Sequence, residues 1–494
     1  MLSSAASHAA PMSPQMPAHS RSSLTLAERR HLLRRFAFAA IPAGARALEG
    51  LSADQAVTRL VAGARSAALP AAPAIVQGEW RNAALRSRGM ADATYDALRA
   101  AQLQAARRDT EVLRQWWIGE MTAGRSPLRE NLTLFFHGVF GSTTTAVDIP
   151  HALYGCNALL RRECLTTIPA LLERLVLDPA MMMQIGTDEH RKARVSDRPA
   201  KLILDYWTVG AGQYADSDVE SLSRALTGWR LAAQGGDAAL PVDPSAVRAA
   251  RRTGLVPTFD PQQFDARPKT ILGTTSDFDA RSAIRHLAAH PATATRFSRE
   301  LIRHFGVEDS DHRLAGRLAA RYASSHGSIE AMLRDLAMSE EFWSPSSRWA
   351  LIKSPVHLVV GACRQLEMAS PPISVISGWL SAAGQTLFDT PNTGEGGWPG
   401  QETWVTPPDR LAVRYQLPIV LAGRMPDLGL HNAAAPEPGA RARVRMGRTI
   451  ERQSSAGLFD RLDAAPGLDA TAMTKGSRDD IIRRTMMTPQ YQLA

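Results

Sequence analysis

The stretch Glu130-Asn-Leu-Thr-Leu-Phe-Phe-His137 puts a carboxylate and an imidazole into an apolar run. Seven residues make two helical turns, so the two side chains share one helix face. A carboxylate beside an imidazole can orient the ring for acid–base work or for metal binding. Ionisable groups are rarely buried alone, so each must have a partner whether or not it reacts. The plainer reading is a polar pair that fixes helix packing. Asn157 and Arg161 form a second pair at i, i+4 spacing. There Arg161 would bind a carboxylate such as Asp205, or make a salt bridge between helices.

Asp265 and Lys269 close an irregular stretch, and Asp265 is a third candidate for catalysis beside Glu130 and His137. Tyr214, Trp229, Trp398 and Trp404 stand at or near loop ends. Aromatic residues there either line a binding groove or pin the loop to the body. His286 and His290 have the i, i+4 spacing of a metal pair, but a supporting Glu and further ligands are missing, so no metal site is assigned. Walker A, GxSxG and HExxH sequences are absent. Gly210-Ala-Gly212 follows no convincing strand, which argues against a dinucleotide fingerprint. Asp216, Asp218 and Glu220 lack the glycine and distant Glu of a calcium loop. Cys156, Cys164 and Cys363 form neither a CxxC pair nor a disulfide framework and read as small buried hydrophobes. Whether a cofactor is used is not readable from these residues.

The elements that carry these residues read as helices almost throughout. Helical spacing predicts a first amphipathic helix over 26–39, broken at Pro42, a short one over 54–61 and a long one over 91–121, stopped by Gly124. Ser126-Pro127 restarts a helix with Ser as N-cap, and that helix bears Glu130 and His137. Further helices are expected over 153–165, 168–176, 279–287 and 291–305, with a capping box at Ser217–Glu220 opening one that runs to Leu226. Two long Gly/Pro-rich excursions interrupt the pattern, at 232–269 (with a short strand pair) and at 389–408. A helix–corner–helix pattern recurs around Asp178-Pro, Ser339-Glu and Thr488-Pro, too irregularly for a solenoid.

The fold class is therefore all-α: a multi-helix body with two irregular loops. The expected organisation is a disordered segment over 1–23, a helical domain over 24–430, a mobile basic loop over 431–448 and a C-terminal helical segment over 449–494 that docks on the body. The chain has 494 residues, 45% hydrophobic and 21% charged, ample for a core. A net charge of +9 and a pI near 9.9 favour acidic partners in general. Without an RNP-like motif or zinc-finger spacing, nucleic acid is not the expected one. No apolar run is long enough to span a bilayer. Arg34-Arg35 followed by a short apolar run imitates an export signal, but Pro42 and its distance from Met1 fit that role poorly, so a cytoplasmic location is expected.

The ordered set of Glu130–His137, Asp178-Pro-Ala-Met181, Thr208-Val-Gly210, Leu226-Thr-Gly-Trp229, Lys269-Thr-Ile-Leu-Gly273, His290-Pro-Ala-Thr-Ala294, Gly397-Trp-Pro399 and Thr488-Pro-Gln-Tyr491 resembles the bacterial domain-of-unknown-function 1800 (DUF1800) family. The resemblance implies a helix-rich protein, often exported, with a sulfatase-like neighbour and no known activity. This chain departs from the family pattern at polar positions. Val139 stands where a second His is usual, and Phe264 where a His commonly precedes Asp265. Ser196-Asp197-Arg198 replaces Asn-Glu-Asn, and Ala200-Lys201-Leu202 replaces Ala-Arg-Glu. Glu130, His137, Asp205, Asp265 and Lys269 remain.

An imidazole replaced by Val or Phe transfers no proton and binds no metal. The leading expectation is thus a binding or assembly component working with a partner protein, the sulfatase-like neighbour being the candidate. The binding residues would come from Asn157, Arg161, Asp205, Tyr214, Trp229, Lys269 and Trp398. The rival is a hydrolase, metal-assisted or not, with Glu130, His137 and Asp265 around one pocket. A nucleic-acid binder driven by the Arg surplus is the weaker third reading.

Overall fold

The computed structural model describes residues 22–78, 91–188, 190–233, 255–391, 397–398, 400–422 and 452–494. It is mostly helical, with two small antiparallel sheets of two strands each. The expected disordered N-terminal segment falls outside those residues up to 21, and the expected basic loop over 431–448 falls outside them altogether. Ser23 does lie within them and forms an antiparallel bridge with Ser52.

The core is organised around the Pro127–Phe140 helix, in which every residue except Pro127 and Gly138 is buried. A helix buried on all sides belongs inside a bundle. Here it packs against Pro150–Glu163, Ala53–Ser66 and the long Asp92–Ala123 helix. The long helix ends where expected, with Gly124 at φ +64. Asp92–Ala123 also packs against Pro355–Gln365 and Ile373–Ala382. On another flank Pro291–Phe305 packs on Arg313–Ser324, and Ile168–Leu175 on Ala280–Ala289.

The local signals place most helix starts. Thr25 and Glu28 form a capping box for Leu26–Phe36, and Ser52 with Gln55 does so for Ala53–Ser66. The three helix–corner–helix repeats each turn on a side-chain cap: Asp178 opens Pro179–Ile185, Ser339 opens Glu340–Trp343 and Thr488 opens Pro489–Gln492. Two caps differ from expectation. Ser126 makes no side-chain cap bond; Pro127 alone marks that start. The helix expected to open at Ser217 begins earlier, as Asp216–Ala225, where the Asp218 carboxylate accepts from the Ala215 N–H at 2.8 Å. Asp218 is the better acceptor because its second oxygen also takes the Leu272 N–H at 2.7 Å, tying the helix to a strand turn.

The first irregular excursion contains an antiparallel pair, β1 (Trp229–Ala233) with β2 (Leu255–Phe259), in which Trp229 faces Phe259. A second pair, β3 (Lys269–Ile271) with β4 (Thr274–Ser276), follows. The C-terminal residues meet the body as a strand-like edge: the Lys353 N–H donates to Gln492 O at 2.9 Å and the Ala494 N–H to Leu351 O at 2.9 Å. Ion pairs Arg30–Asp460 and Arg34–Asp463 and the buried Leu458, Leu462, Ile481 and Ile482 hold the same segment.

Several arginines act inside the fold as caps for helix carbonyls. Arg129 donates to Ala67 O at 2.8 Å, Ala68 O at 3.3 Å and also to Ala64 O, at the C-terminal end of Ala53–Ser66. Arg198 serves Ile185 O and Gln184 O, Arg364 serves Ala37 O, and Arg461 serves Gln365 O. The last carbonyls of a helix lack backbone partners and carry partial negative charge, so a cation there meets both needs. Part of the Arg surplus is therefore interior structure and not a surface offered to polyanions. Replacing Arg129 by Met is expected to lower stability by about 2–3 kcal/mol, the scale of lost charge-assisted hydrogen bonds, as read by urea denaturation.

Candidate functional site

Glu130 is 3% exposed and both its oxygens are taken. Arg161 Nε donates to Oε1 at 2.7 Å and Nη2 to Oε2 at 2.9 Å, and the Trp117 indole N–H adds a third bond to Oε2 at 2.9 Å. Arg161 Nη1 donates to Asn157 Oδ1 at 2.6 Å, and the guanidinium lies 5.0 Å from the Trp116 ring centroid. The i, i+4 pair thus works as a unit, with Glu130 as the carboxylate it binds in place of Asp205. Asp205 instead accepts from the Tyr214 hydroxyl at 2.6 Å, and its backbone carbonyl accepts from Arg296. Burial, then Asp205, push the Tyr214 phenol up to about 12.

His137 lies on the same helix face as Glu130 and touches the same indole: its ring meets Trp117 edge-on at 5.1 Å. The two make no hydrogen bond to each other. His137 Nε2 accepts from the Phe388 N–H at 3.1 Å, which leaves the ring proton on Nδ1. Phe388 and Trp398 close the remaining sides, and burial pushes the imidazole down to about 3.

Asp265 belongs to a different cluster. Arg224 Nε reaches it at 3.0 Å, Arg267 binds it through side chain and backbone, and the Asp265 N–H donates to Thr227 Oγ1 at 2.9 Å. Arg267 first, then Arg224, hold its carboxyl well below the usual range. Lys269 Nζ donates to Arg267 O at 3.0 Å and sits 4.7 Å from the Phe264 ring centroid. Asp265 is bound by Arg224 and Arg267, Glu130 by Arg161 and Trp117, and His137 by the Phe388 backbone, so these hydrogen bonds place the three in separate networks. Trp229 packs on Phe259 at 5.2 Å and pins the hairpin. His286 binds Ile271 O and His290 accepts the Ala292 N–H as a helix cap, so this pair is also structural. No cluster of three metal-ligating side chains exists among the described residues.

An open cavity of about 100 Å³ lies one helix face away. Its walls include Leu134, Phe135, Trp398 and Trp404, with Glu300, Arg303, His304, His357, Ser354 and Gln385 as polar groups. Behind it Asn131 fixes two imidazoles. Asn131 Nδ2 donates to Arg35 O at 2.8 Å, which orients its amide so that Oδ1 accepts. His304 Nε2 reaches that oxygen at 2.8 Å and His357 Nε2 at 3.2 Å. Both rings therefore donate through Nε2 and keep Nδ1 as an acceptor. For His357 that acceptor meets Ser354 Oγ at 2.9 Å. Burial pushes both imidazoles down, His357 to about 4 with Lys353 and Arg35 adding repulsion, and His304 well below the ordinary value.

The second irregular excursion supplies one wall. Gly397 adopts φ +94, and a Cβ there would collide with the Gly138 carbonyl, so only glycine lets the loop backbone meet the helix. Trp398 then seats against His137 and over Gly138. Of the residues singled out from sequence, Trp398 and Trp404 line this cavity, and so does Val139, which stands where the resemblance expects a second His.

The sequence pattern of a family described as a protein of unknown function (DUF1800) matches residues 31–493. The chain belongs to the DUF1800 family. No curated protein and no solved structure matches it. Family membership thus covers nearly the whole described body, C-terminal segment included, and brings no activity with it. No helix among the described residues is long and apolar enough to cross a membrane.

Two outcomes are expected of this DUF1800 chain. Glu130→Gln leaves Arg161 buried with half a partner and is expected to cost about 3–5 kcal/mol in urea denaturation. The double replacement Glu130→Leu with Arg161→Met is expected to cost less, because no charge is left uncompensated. The buried imidazoles also set an acid limit. His137 titrates near 3 when folded and near 6.5 when unfolded, so the unfolded chain binds its proton first as pH falls. Stability is then lost from about pH 6.5 down towards 3, by about 1.4 kcal/mol per pH unit for each such imidazole. His137→Leu is expected to flatten the melting temperature against pH over that window; an unchanged slope would contradict the assignment.

Proposed function

We propose that this protein is a binding component that works with a partner protein, and that the cavity beside Trp398 receives a group presented by that partner. The observation that carries this reading is the contrast between two polar sets. Glu130, Arg161 and Asp265 have their polar atoms engaged within the protein, whereas His304, its Nε2 held by Asn131 and its Nδ1 left as a neutral acceptor, lines an open cavity with aromatic walls. Such a site suits an apolar body that carries one hydrogen-bond donor, a hydroxyl, amide or ammonium. The Glu300–Arg303 pair at its edge adds a polar rim.

The family resemblance makes a sulfatase-like protein the partner to test. Co-expression of the two with an affinity tag on this chain is expected to yield a complex, and Trp398→Ala or His304→Ala to weaken it by about 2 kcal/mol or more, the scale of a buried anchor. Absence of a complex with the native chain, or equal binding by both variants, would sink this reading. Trp229→Ala, far from the cavity in contact terms, serves as the control.

A further inference from the structure

The Ser354 hydroxyl has neighbours that helix capping does not account for. Ser354 is the N-cap of Pro355–Gln365, and its Oγ accepts from the His357 N–H at 3.3 Å. Capping explains that bond, and the i, i+3 spacing explains why the imidazole reaches back to Oγ at 2.9 Å. It does not explain why the far ring nitrogen is held by Asn131, a residue of another helix, at 3.2 Å. Nor does it explain the cavity onto which Ser354 and His357 both open. The result is a hydroxyl, an imidazole that accepts its proton, and an amide oxygen that fixes the tautomer, in the order required of an activated serine.

Gln385 supplies a second, separate observation. It is 3% exposed, yet it lines the same cavity. Its Oε1 accepts from the Val356 N–H, two residues past Ser354, at 2.9 Å. With that oxygen fixed, the donor left on Gln385 is Nε2, on a side chain that lines the cavity together with Ser354. A preorganised amide donor in the cavity that the hydroxyl also lines is what a developing oxyanion needs.

We propose that Ser354 is a nucleophile for small acyl esters, with His357 as its base, Asn131 as the positioning residue and Gln385 as the oxyanion donor. Ser354 Oγ bonds to the ester carbonyl carbon while its proton moves to His357 Nδ1. The carbonyl π pair moves to oxygen, opposite Gln385 Nε2. When that pair returns, the bond to the leaving oxygen breaks, and the proton passes from His357 Nδ1 to the departing alcohol. The products are acyl-Ser354 and one alcohol, and water reverses the sequence to release the acid. A cavity of about 100 Å³ fits an acetyl-sized group, since water occupies roughly 30 Å³. Burial first, then Lys353 and Arg35, disfavour a charged His357, so acylation and hydrolysis of the adduct are both slow. The signature is thus a stoichiometric adduct more than rapid turnover.

This inference goes beyond partner binding and does not depend on it. The test is to expose the purified full chain to p-nitrophenyl acetate and map acetylation by intact mass and peptide sequencing. The expected result is one acetyl group per chain on Ser354. Ser354→Asp should abolish it while keeping the helix start, because Asp is an equally good N-cap. His357→Gln should slow it by about a hundredfold. Acetyl found only elsewhere, an unlabelled native Ser354, or unchanged Ser354 labelling in the His357→Gln protein would overturn the proposal. Complex formation by the native chain, measured separately, reports on the partner reading alone.

Discussion

A charge or polar group placed inside a helical core must be satisfied where it stands, because no water is there to do it. The central helix carries Arg129, Glu130, Asn131, Thr133 and His137 through the most buried part of the molecule. Four of them are met by other elements: Arg129 meets the end of Ala53–Ser66, Glu130 meets Pro150–Glu163 and the long helix, Asn131 meets the last turn of Leu26–Phe36 and two distant histidines, and His137 meets the Phe388 backbone. Thr133 closes its bond within its own helix. The neighbours of this helix are therefore chosen by its polar residues as much as by its apolar ones. Apolar contacts tolerate sliding; a bidentate guanidinium–carboxylate pair does not.

The same constraint separates structure from site. Glu130 and Asp265 look reactive in a sequence because they are acids in unusual company. In three dimensions that company consists of arginines, which consume the carboxylates as acceptors. Asn131 does the opposite. By holding two rings through Nε2 it leaves their Nδ1 atoms free of that contact, one to meet the Ser354 hydroxyl and one on a ring that lines the cavity. A neutral amide thereby builds a polar arrangement that opens onto a cavity. The irregular 389–408 stretch completes it, because Gly397 lets the loop approach Gly138 and bring Trp398 into place.

Much of the architecture was legible from local rules. Capping residues, Gly124 and the proline starts marked helix ends to within a few residues, since those signals act within a single turn. The Asp178, Ser339 and Thr488 corners were visible for the same reason. The misplaced start at Ser217 shows the limit of such rules. Asp218 prefers a position where its second oxygen meets Leu272, a contact 54 residues away in sequence. The Arg surplus read as a surface property, because charge counting cannot tell a solvated guanidinium from one that caps a carbonyl.

What the chain determined by itself was its helical character, its breaks, and the presence of ionisable groups in an apolar helix, all consequences of short-range periodicity and backbone sterics. Tertiary structure alone decided which groups face each other. Glu130 found Arg161, and Asp205 found Tyr214. Asn131, an unremarked neighbour in the opening motif, came to join His304 and His357, 173 and 226 residues further on. Pairings at such separations depend on how whole helices pack, and side-chain spacing along one helix carries no record of the residue that will meet it from another.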